Sequence, residues 1–239
     1  MVQWLYGLLR FLFYCAVGGV IVVAGVAYFF MTWEPDRDEY AFRGIDISHH
    51  NGPIDWARVA DDDVAFVYMK ASEGADFKDR AFLDNWAGAK SVGLPHGAYH
   101  FFSLCRTGAA QADNFLAALP DTDGMLPPVV DLEFEGNCAR RPPVEEVLSE
   151  ISDYVGRVEQ STGKPVILYA PQPFYEAYLK DNGLNRRLWV RSLWKSPDYS
   201  ADWTLWQYHQ RGAIRGIDTE VDLNVLAVGM TPGNLISLN

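Results

Sequence analysis

From Phe11 to Met31 the chain runs apolar with no charged residue; beyond it, short alternating and periodic stretches follow one another. Apolar and polar residues alternate, or apolar residues cluster in brief runs, at 43–48, 65–70, 96–102, 128–134, 166–170 and 188–192, the signature of strands. Helical composition lies between them, at 54–62, 78–91, 107–119, 144–160 and 173–180. The segment 144–160 is the clearest, with Leu148, Ile151, Tyr154, Val155 and Val158 on one face at the helical period, and Gly163-Lys164-Pro165 stops it. After residue 192 the rhythm changes. Segments 203–210 and 221–226 read as strands, with Gly212 and Gly216 between them and no room for a crossover helix. Strand–helix alternation of this length predicts an α/β fold: a modified (β/α) barrel of about eight strands and five helices, its last part degenerate.

The N-terminal run is long enough to cross a bilayer, which takes roughly 20 apolar residues as a helix. Arg10 lies before it, while Glu34, Asp36, Asp38 and Glu39 follow it, so the positive-inside rule leaves the N-terminus in the cytoplasm and sends the rest outward. Phe11, Tyr14, Tyr28, Phe29, Phe30 and Trp33 supply interfacial anchors. A cleaved signal peptide has a shorter apolar core of about 7–15 residues ending at small residues; here Tyr28-Phe29-Phe30 follows the small ones. The expected organisation is a signal anchor or transmembrane helix over 1–33, an acidic linker over 34–42 and a barrel domain over 43–239, held outside the cytoplasm on the periplasmic or wall side.

Composition narrows the function. The net charge of −11, concentrated in the exported part, argues against nucleic acid as a partner, because phosphate contacts require a basic patch. Cys15 falls in the apolar run. Cys105 and Cys138 lie in loops after successive strands, where an exported protein is allowed a disulfide. No Cys-x-x-Cys pair exists and the histidines lack zinc-ligand spacing, so neither a metal nor another cofactor is expected.

The chemistry concentrates at the strand ends, where barrel enzymes keep their active sites. In 128–134 and just beyond, Val129, Asp131, Glu133 and Glu135 share one face of the strand. Two carboxyls side by side repel, which raises at least one pKa, and a protonated acid beside an ionised one is what glycoside hydrolysis needs. Other strand ends add Asp46, Lys70, Glu73, Tyr99, His100, Tyr169, Trp206, Gln207, Tyr208 and Asp222. Rings that stack on sugar faces, together with groups that bond hydroxyls, make a sugar site. Taken singly, Lys70 and Glu73 also read as an exposed ion pair, Asp46 as a turn cap, and His209 as a solvent-facing residue.

These motifs resemble, in order, those of glycoside hydrolase family 25 lysozymes, the Chalaropsis-type muramidases. They are Gly44-Ile45-Asp46-Ile47-Ser48 with Asn51-Gly52-x-Ile54-Asp55-Trp56, Tyr68-x-Lys70-Ala71-Ser72-Glu73-Gly74, and Gly97-Ala98-Tyr99-His100-Phe101. Asp131-x-Glu133, Trp206-Gln207-Tyr208 and Val221-Asp222-Leu223-Asn224 follow, so the likeness covers residues 43–227. It implies hydrolysis of the β-1,4 bond between N-acetylmuramic acid and N-acetylglucosamine in peptidoglycan. By motif, Glu133 is the implied general acid and Asp131 its charged neighbour, with Asp46 and Asp222 flanking the site. The residues themselves do not separate the roles of Asp131 and Glu133, and retaining, inverting and substrate-assisted routes stay open. His49-His50-Asn51 departs from many relatives. The alternatives are a catalytically silent peptidoglycan-binding module using the same cleft, and a hydrolase of another acetylated glycan such as chitin.

Overall fold

A computed structural model describes residues 2–120, 122–182 and 184–238, and the chain divides into two compact units between Glu34 and Pro35. The first unit is helix α1 (Val2–Thr32), whose Gln3–Thr32 stretch has a mean hydropathy of 2.2 in its apolar window and carries length and composition enough to cross a membrane.

The second unit is built on nine strands. They are β1 (Arg43–Ile47), β2 (Phe66–Glu73), β3 (Phe77–Lys78), β4 (His96–Phe101), β5 (Val129–Asp131), β6 (Ile167–Pro171), β7 (Leu188–Arg191), β8 (Trp203–Gly212) and β9 (Val221–Leu226). The order β1-β9-β8-β7-β6-β5-β4-β2, closed by a β1–β2 pairing, makes an eight-strand barrel, with β3 as a short antiparallel flap on β2. Strands β1, β2 and β4 to β8 run parallel, whereas β9 is antiparallel to both β8 and β1. The missing crossover helix after β8 therefore has a simple consequence. Two strands too close in sequence for a crossover can only form a hairpin.

Alternate residues of each strand face the barrel axis. Phe66, Tyr68, Val129, Ile167, Tyr169, Trp189, Leu205 and Leu226 fill the interior and are all buried. Residues of opposite parity, among them Val67, Met69, Val130, Leu168 and Val190, are just as buried because helices cover the outside. These are α2 (Trp56–Ala60), α3 (Phe82–Ser91), α4 (Gly108–Leu116), α5 (Val144–Thr162) and α6 (Gln172–Phe174) with a π turn at Tyr175–Leu179, whereas α7 (Pro232–Ile236) packs Leu235 and Ile236 against the interior cluster. Both strand faces are apolar for that reason, as parallel sheets require. Helix α5 buries Val147, Ile151, Tyr154, Val155 and Val158, so Val147 takes the place expected of Leu148. It ends on Gly163 with φ 67°, a left-handed cap that glycine adopts without strain.

Several boundaries differ from the sequence reading. The predicted strand 128–134 keeps ladder pairing only through Asp131. Residues 78–81 are not helical, because β3 occupies Phe77–Lys78 and the Asp79 side chain accepts the Ala81 N–H at 2.8 Å just before α3. Helix α7 lies beyond the last predicted element, its N-cap Thr231 accepting from Asn234 N–H. Within residues 35–42, Tyr40 is buried between Trp203 and Trp206, and Arg37 reaches Asp63 at 2.6 Å.

The barrel floor leaves no room at Gly44. A methyl group there would meet the ring of Phe66 at 2.2 Å, and Phe66 is itself fully buried. Gly44→Ala is expected to destabilise the protein by about 1–3 kcal/mol, the usual penalty of overpacking a filled core. Urea unfolding of the purified protein followed by Trp fluorescence measures it.

Candidate active site

The C-terminal ends of the parallel strands open into a cleft of about 500 Å³. Position on the pleat decides which side chains enter it. Inward positions one pair above the apolar floor are Asp46 on β1, Lys70 on β2, Tyr99 on β4, Asp131 on β5, Tyr169 on β6, Gln207 on β8 and Asp222 on β9, and all of them line the cleft. Glu73 lines it from the end of β2, and Glu133 from the turn after β5.

The hairpin closure sets Asp46 opposite Asp222 in register, and the two carboxyls hydrogen-bond each other. Asp46 also accepts Asn224 Nδ2–H at 2.7 Å, and Asn224 Oδ1 accepts the indole N–H of Trp189 at 2.9 Å. Burial lifts Asp46 to about 6 despite these bonds. Burial, reinforced by the charge of Asp46, lifts Asp222 to about 9. Both are raised by burial, and the hydrogen-bonded pair shares a proton.

The second acid pair stands across the cleft. Burial lifts Glu133 to about 7, with the Arg191 cation pulling down and Glu135 pushing up. Asp131 is raised well above its ordinary value by burial and then by the Glu133 charge, with Lys70 opposing. Its Oδ1 is buried without a hydrogen-bond partner among the described residues. Lys70 Nζ pairs with Glu73 Oε2 at 2.6 Å and lies 4.9 Å from the Phe101 ring centre, on the cleft wall rather than in open solvent. Tyr169 Oη donates to Gln207 Oε1 at 2.6 Å. The carboxyls lift the Tyr99 hydroxyl, already raised by burial, further still, so it remains a donor.

What replaces the lost ladder around Glu133 is a clamp made by Asn137. Its Nδ2 donates to Phe102 O at 2.7 Å and Glu133 O at 2.9 Å, while Oδ1 accepts Leu104 N–H and Cys138 N–H, both at 3.0 Å. The disulfide Cys105–Cys138 closes next to it, which answers the pairing left open by the sequence.

Three proposed substrate contacts lie elsewhere. His100 is fully buried on the outer face of β4, with Nδ1 2.8 Å from Ser72 Oγ and its ring stacked on Tyr154. Burial drops its pKa to about 3. Trp206 and Tyr208 flank Gln207 on β8 and so point away from the axis; both are buried, and the Trp206 indole N–H donates to Ser192 O at 2.7 Å. Adjacent strand residues cannot share a face, so Tyr99 with His100, or Gln207 with either neighbour, could never all reach the cleft. His209, expected in solvent, is buried and accepts Arg211 N–H at 3.0 Å.

The sequence reading passed over Asn137, Asn224 as a ligand of Asp46, and Arg191. Arg191 carried a readable signal, a charge at the end of an otherwise apolar strand, as Asp131 does. Asn137 carried none, since an Asn after Gly is ordinary in a turn. Among the described residues no cluster of three or more His, Cys, Asp or Glu is arranged to hold a metal ion.

A sequence model described as Glycosyl hydrolases family 25 matches residues 45–217. The "Uncharacterized protein YegX" of Escherichia coli (strain K12) is 35% identical over 193 residues, covering 78% of this chain and 70% of that protein. "Lysozyme M1" of Streptomyces globisporus is 30% identical over 200 residues, covering 78% and 68%. The solved structure of a family 25 glycosyl hydrolase from Bacillus anthracis superposes with a TM-score of 0.78 at 35% identity, covering 86% of this chain and 96% of that one.

Two outcomes follow from the geometry. Asn137→Ala leaves the Leu104 amide and the Phe102 and Glu133 carbonyls without their partner. It should lower stability by about 1–3 kcal/mol and speed hydrogen exchange at Leu104 and Cys138, read by mass spectrometry. The Asp46–Asp222 pair keeps a proton in the folded protein long after the unfolded chain has lost it, with Asp222 lifted to about 9, so folding takes up a proton between about pH 4 and about pH 9. Its contribution to stability is therefore present at low pH and lost as pH rises through that window. Asp222→Asn removes this loss, and its unfolding midpoint should rise relative to the parent protein as pH increases from about 4 to about 9. A pH series of thermal melts checks it.

Proposed function

The chain belongs to Glycosyl hydrolases family 25 and is a glycoside hydrolase, and we propose that it is a muramidase cleaving the β-1,4 bond between N-acetylmuramic acid and N-acetylglucosamine in peptidoglycan. The observation that carries this reading is the Asp131–Glu133 pair, two carboxyls raised by burial in a cleft walled by Tyr99, Tyr169 and Gln207. The relative named Lysozyme M1 supports the substrate class.

In this reading Glu133, the less deeply buried of the pair, donates its proton to the departing glycosidic oxygen. Asp131 lies deeper, with an oxygen free of protein partners. It faces the anomeric side of the sugar, where it steers the acetamido group or stabilises positive charge as the bond breaks. Asp46 and Asp222, hydrogen-bonded to each other and sharing a proton, flank the site and order water or a sugar hydroxyl beside them. Lys70, Glu73, Tyr99, Tyr169 and Gln207 contact the glycan. Helix α1 is the membrane anchor over residues 1–33, joined by residues 34–42 to the catalytic domain over 43–239, which works outside the cytoplasm on the wall side of the membrane. The acidic cleft has no affinity for nucleic acid.

The test digests purified peptidoglycan with the detergent-solubilised protein and weighs the products. Fragments ending in reducing N-acetylmuramic acid are expected, and wall binding without fragment release would favour a silent binding module instead. Glu133→Gln cannot donate the proton and should lower kcat about 10²- to 10⁴-fold with the unfolding midpoint preserved. Because the acid acts protonated and titrates at about 7, kcat/KM of the parent protein should fall as pH rises through that value. A rate that stays level from about pH 6 to 9 would remove Glu133 as the donor.

A further inference from the structure

Beside the acids the cleft opens into a second hollow of about 410 Å³, which shares Glu133, Tyr169 and Asp222 with it and adds Arg191, Gln210 and Arg211. The two arginines differ in how they are matched. Arg211 Nη2 meets Glu220 Oε1 at 2.7 Å, and its Nε donates to the same oxygen at 2.8 Å, a closed pair at the rim. Arg191 has no such partner. Its Nη2 donates to the neutral amide oxygen of Gln210. The carboxylate it faces, Glu135 Oε2, lies 3.7 Å from Nη1, beyond hydrogen-bond range, on a side chain 82% exposed.

The root of Arg191 is nevertheless fixed. It is the last residue of β7, its backbone N–H donates to Tyr199 Oη at 2.9 Å, and that hydroxyl donates to Ala170 O at 2.8 Å. The side chain is 24% exposed, so its stem is packed while the guanidinium faces the hollow. A guanidinium offers five donors in a plane and binds carboxylates through two of them at once. Gln210 takes Nη2, and Nη1 points toward Glu135 within the same hollow. On the opposite wall the other cation, Lys70, is already engaged by Glu73 at 2.6 Å. Of the acids around Arg191, burial raises Asp222 and Glu133, which favours their uncharged forms, while Glu135 stands at the exposed rim.

We propose that Arg191, oriented by Gln210, is a specificity-determining residue that binds a carboxylate carried by the substrate. The inference rests on the muramidase reading and adds the substrate feature that is read. N-acetylmuramic acid bears a lactyl carboxyl, free in peptide-stripped glycan and amide-linked in peptide-bearing strands, whose peptides carry carboxylates of their own. The shared chemistry is a carboxylate one sugar-substituent away from the bond to be cut.

The experiment compares the full-length protein with Arg191→Met and Arg191→Lys. The substrates are peptide-stripped glycan and peptide-bearing glycan, each before and after conversion of its carboxyls to primary amides with carbodiimide and ammonia. Assays at about pH 5 keep Glu133 protonated whatever stands at position 191. The quantity read is the ratio of kcat/KM on the acid form to that on the amide form, which is independent of the active fraction of each preparation. Binding affinity for the same chains gives a second, activity-free ratio. Arg191→Met should lower the acid-to-amide ratio about tenfold or more, the effect of one charge-assisted contact, with Arg191→Lys restoring part of it. A fall confined to stripped glycan identifies the lactyl carboxylate, and a fall confined to peptide-bearing glycan identifies a peptide carboxylate. Ratios unchanged by Arg191→Met on both substrates, in rate and in binding, overturn the proposal. A parent protein that binds all four chains and cleaves none overturns the muramidase reading instead, and the binding ratios still decide the role of Arg191.

Discussion

Asp46, Asp131, Glu133 and Asp222 stand in one cleft that the barrel wall shields from water, and four carboxylates so placed cannot all carry charge. Desolvation is the first cause of the upward shift at every one of them, and mutual repulsion adds to it. The outcome is a division of labour by environment. Asp46, given a hydrogen bond from Asn224, and Asp222 beside it share a proton. Glu133, exposed enough to feel Arg191, titrates near neutrality. Burial, with the charges of Glu135 and Asp46 added to it, thus leaves Glu133 able to hold a proton near neutral pH, which is what the proposed donor role requires.

That electrostatic arrangement depends on strand parity. The same alternation that puts Phe66, Tyr68 and Trp189 on the barrel floor puts Lys70 and Arg191 two residues further along and therefore one layer higher. The antiparallel β9 is the exception that completes the set. Running against its neighbours, it presents its early residue Asp222, rather than its last, at the open end, directly across from Asp46. An all-parallel eighth strand would have carried its N-terminal residue to the floor. The hairpin is thus what allows the ring of acids to close.

Most of this was legible beforehand for a physical reason: core strands buried on both faces are written as apolar runs, and a carboxylate ending such a run has few structural excuses. The eight strands, their order of appearance and Asp131 could be read that way, while Asp46 inside β1 and Asp222 near the start of β9 stand out as lone acids in apolar strands. Parity is where the reading slipped. Where inward and outward positions are both hydrophobic or aromatic, composition does not say which residue of Tyr99–His100 or Trp206–Gln207–Tyr208 faces the sugar; the register relative to Asp46 and Asp131 does, and alternation from those anchors would have excluded His100, Trp206 and Tyr208. Arg191 follows from the same counting along β7 from the buried Trp189. The Asn137 clamp does not, because it joins turns distant in sequence and consists largely of bonds to backbone atoms.

The clamp shows how a residue outside the ladder is positioned for the acid role proposed for it. Strand pairing ends at Asp131, yet Leu132 N–H still donates to Tyr169 O and Phe102 N–H to Asp131 O, so the backbone stays aligned for one more residue. Beyond that point Asn137 substitutes side-chain bonds for ladder bonds, and the adjacent disulfide ties the same turn to the loop after β4. A rigid turn of this kind gives Glu133 two properties that a strand would force apart. Its backbone carbonyl is held by Asn137, and its side chain lies past the sheet edge, lining the cleft where the proposed reading puts the substrate oxygen. For the proposed donor such preorganisation matters, because a group held in place beforehand costs little to orient when the transition state forms.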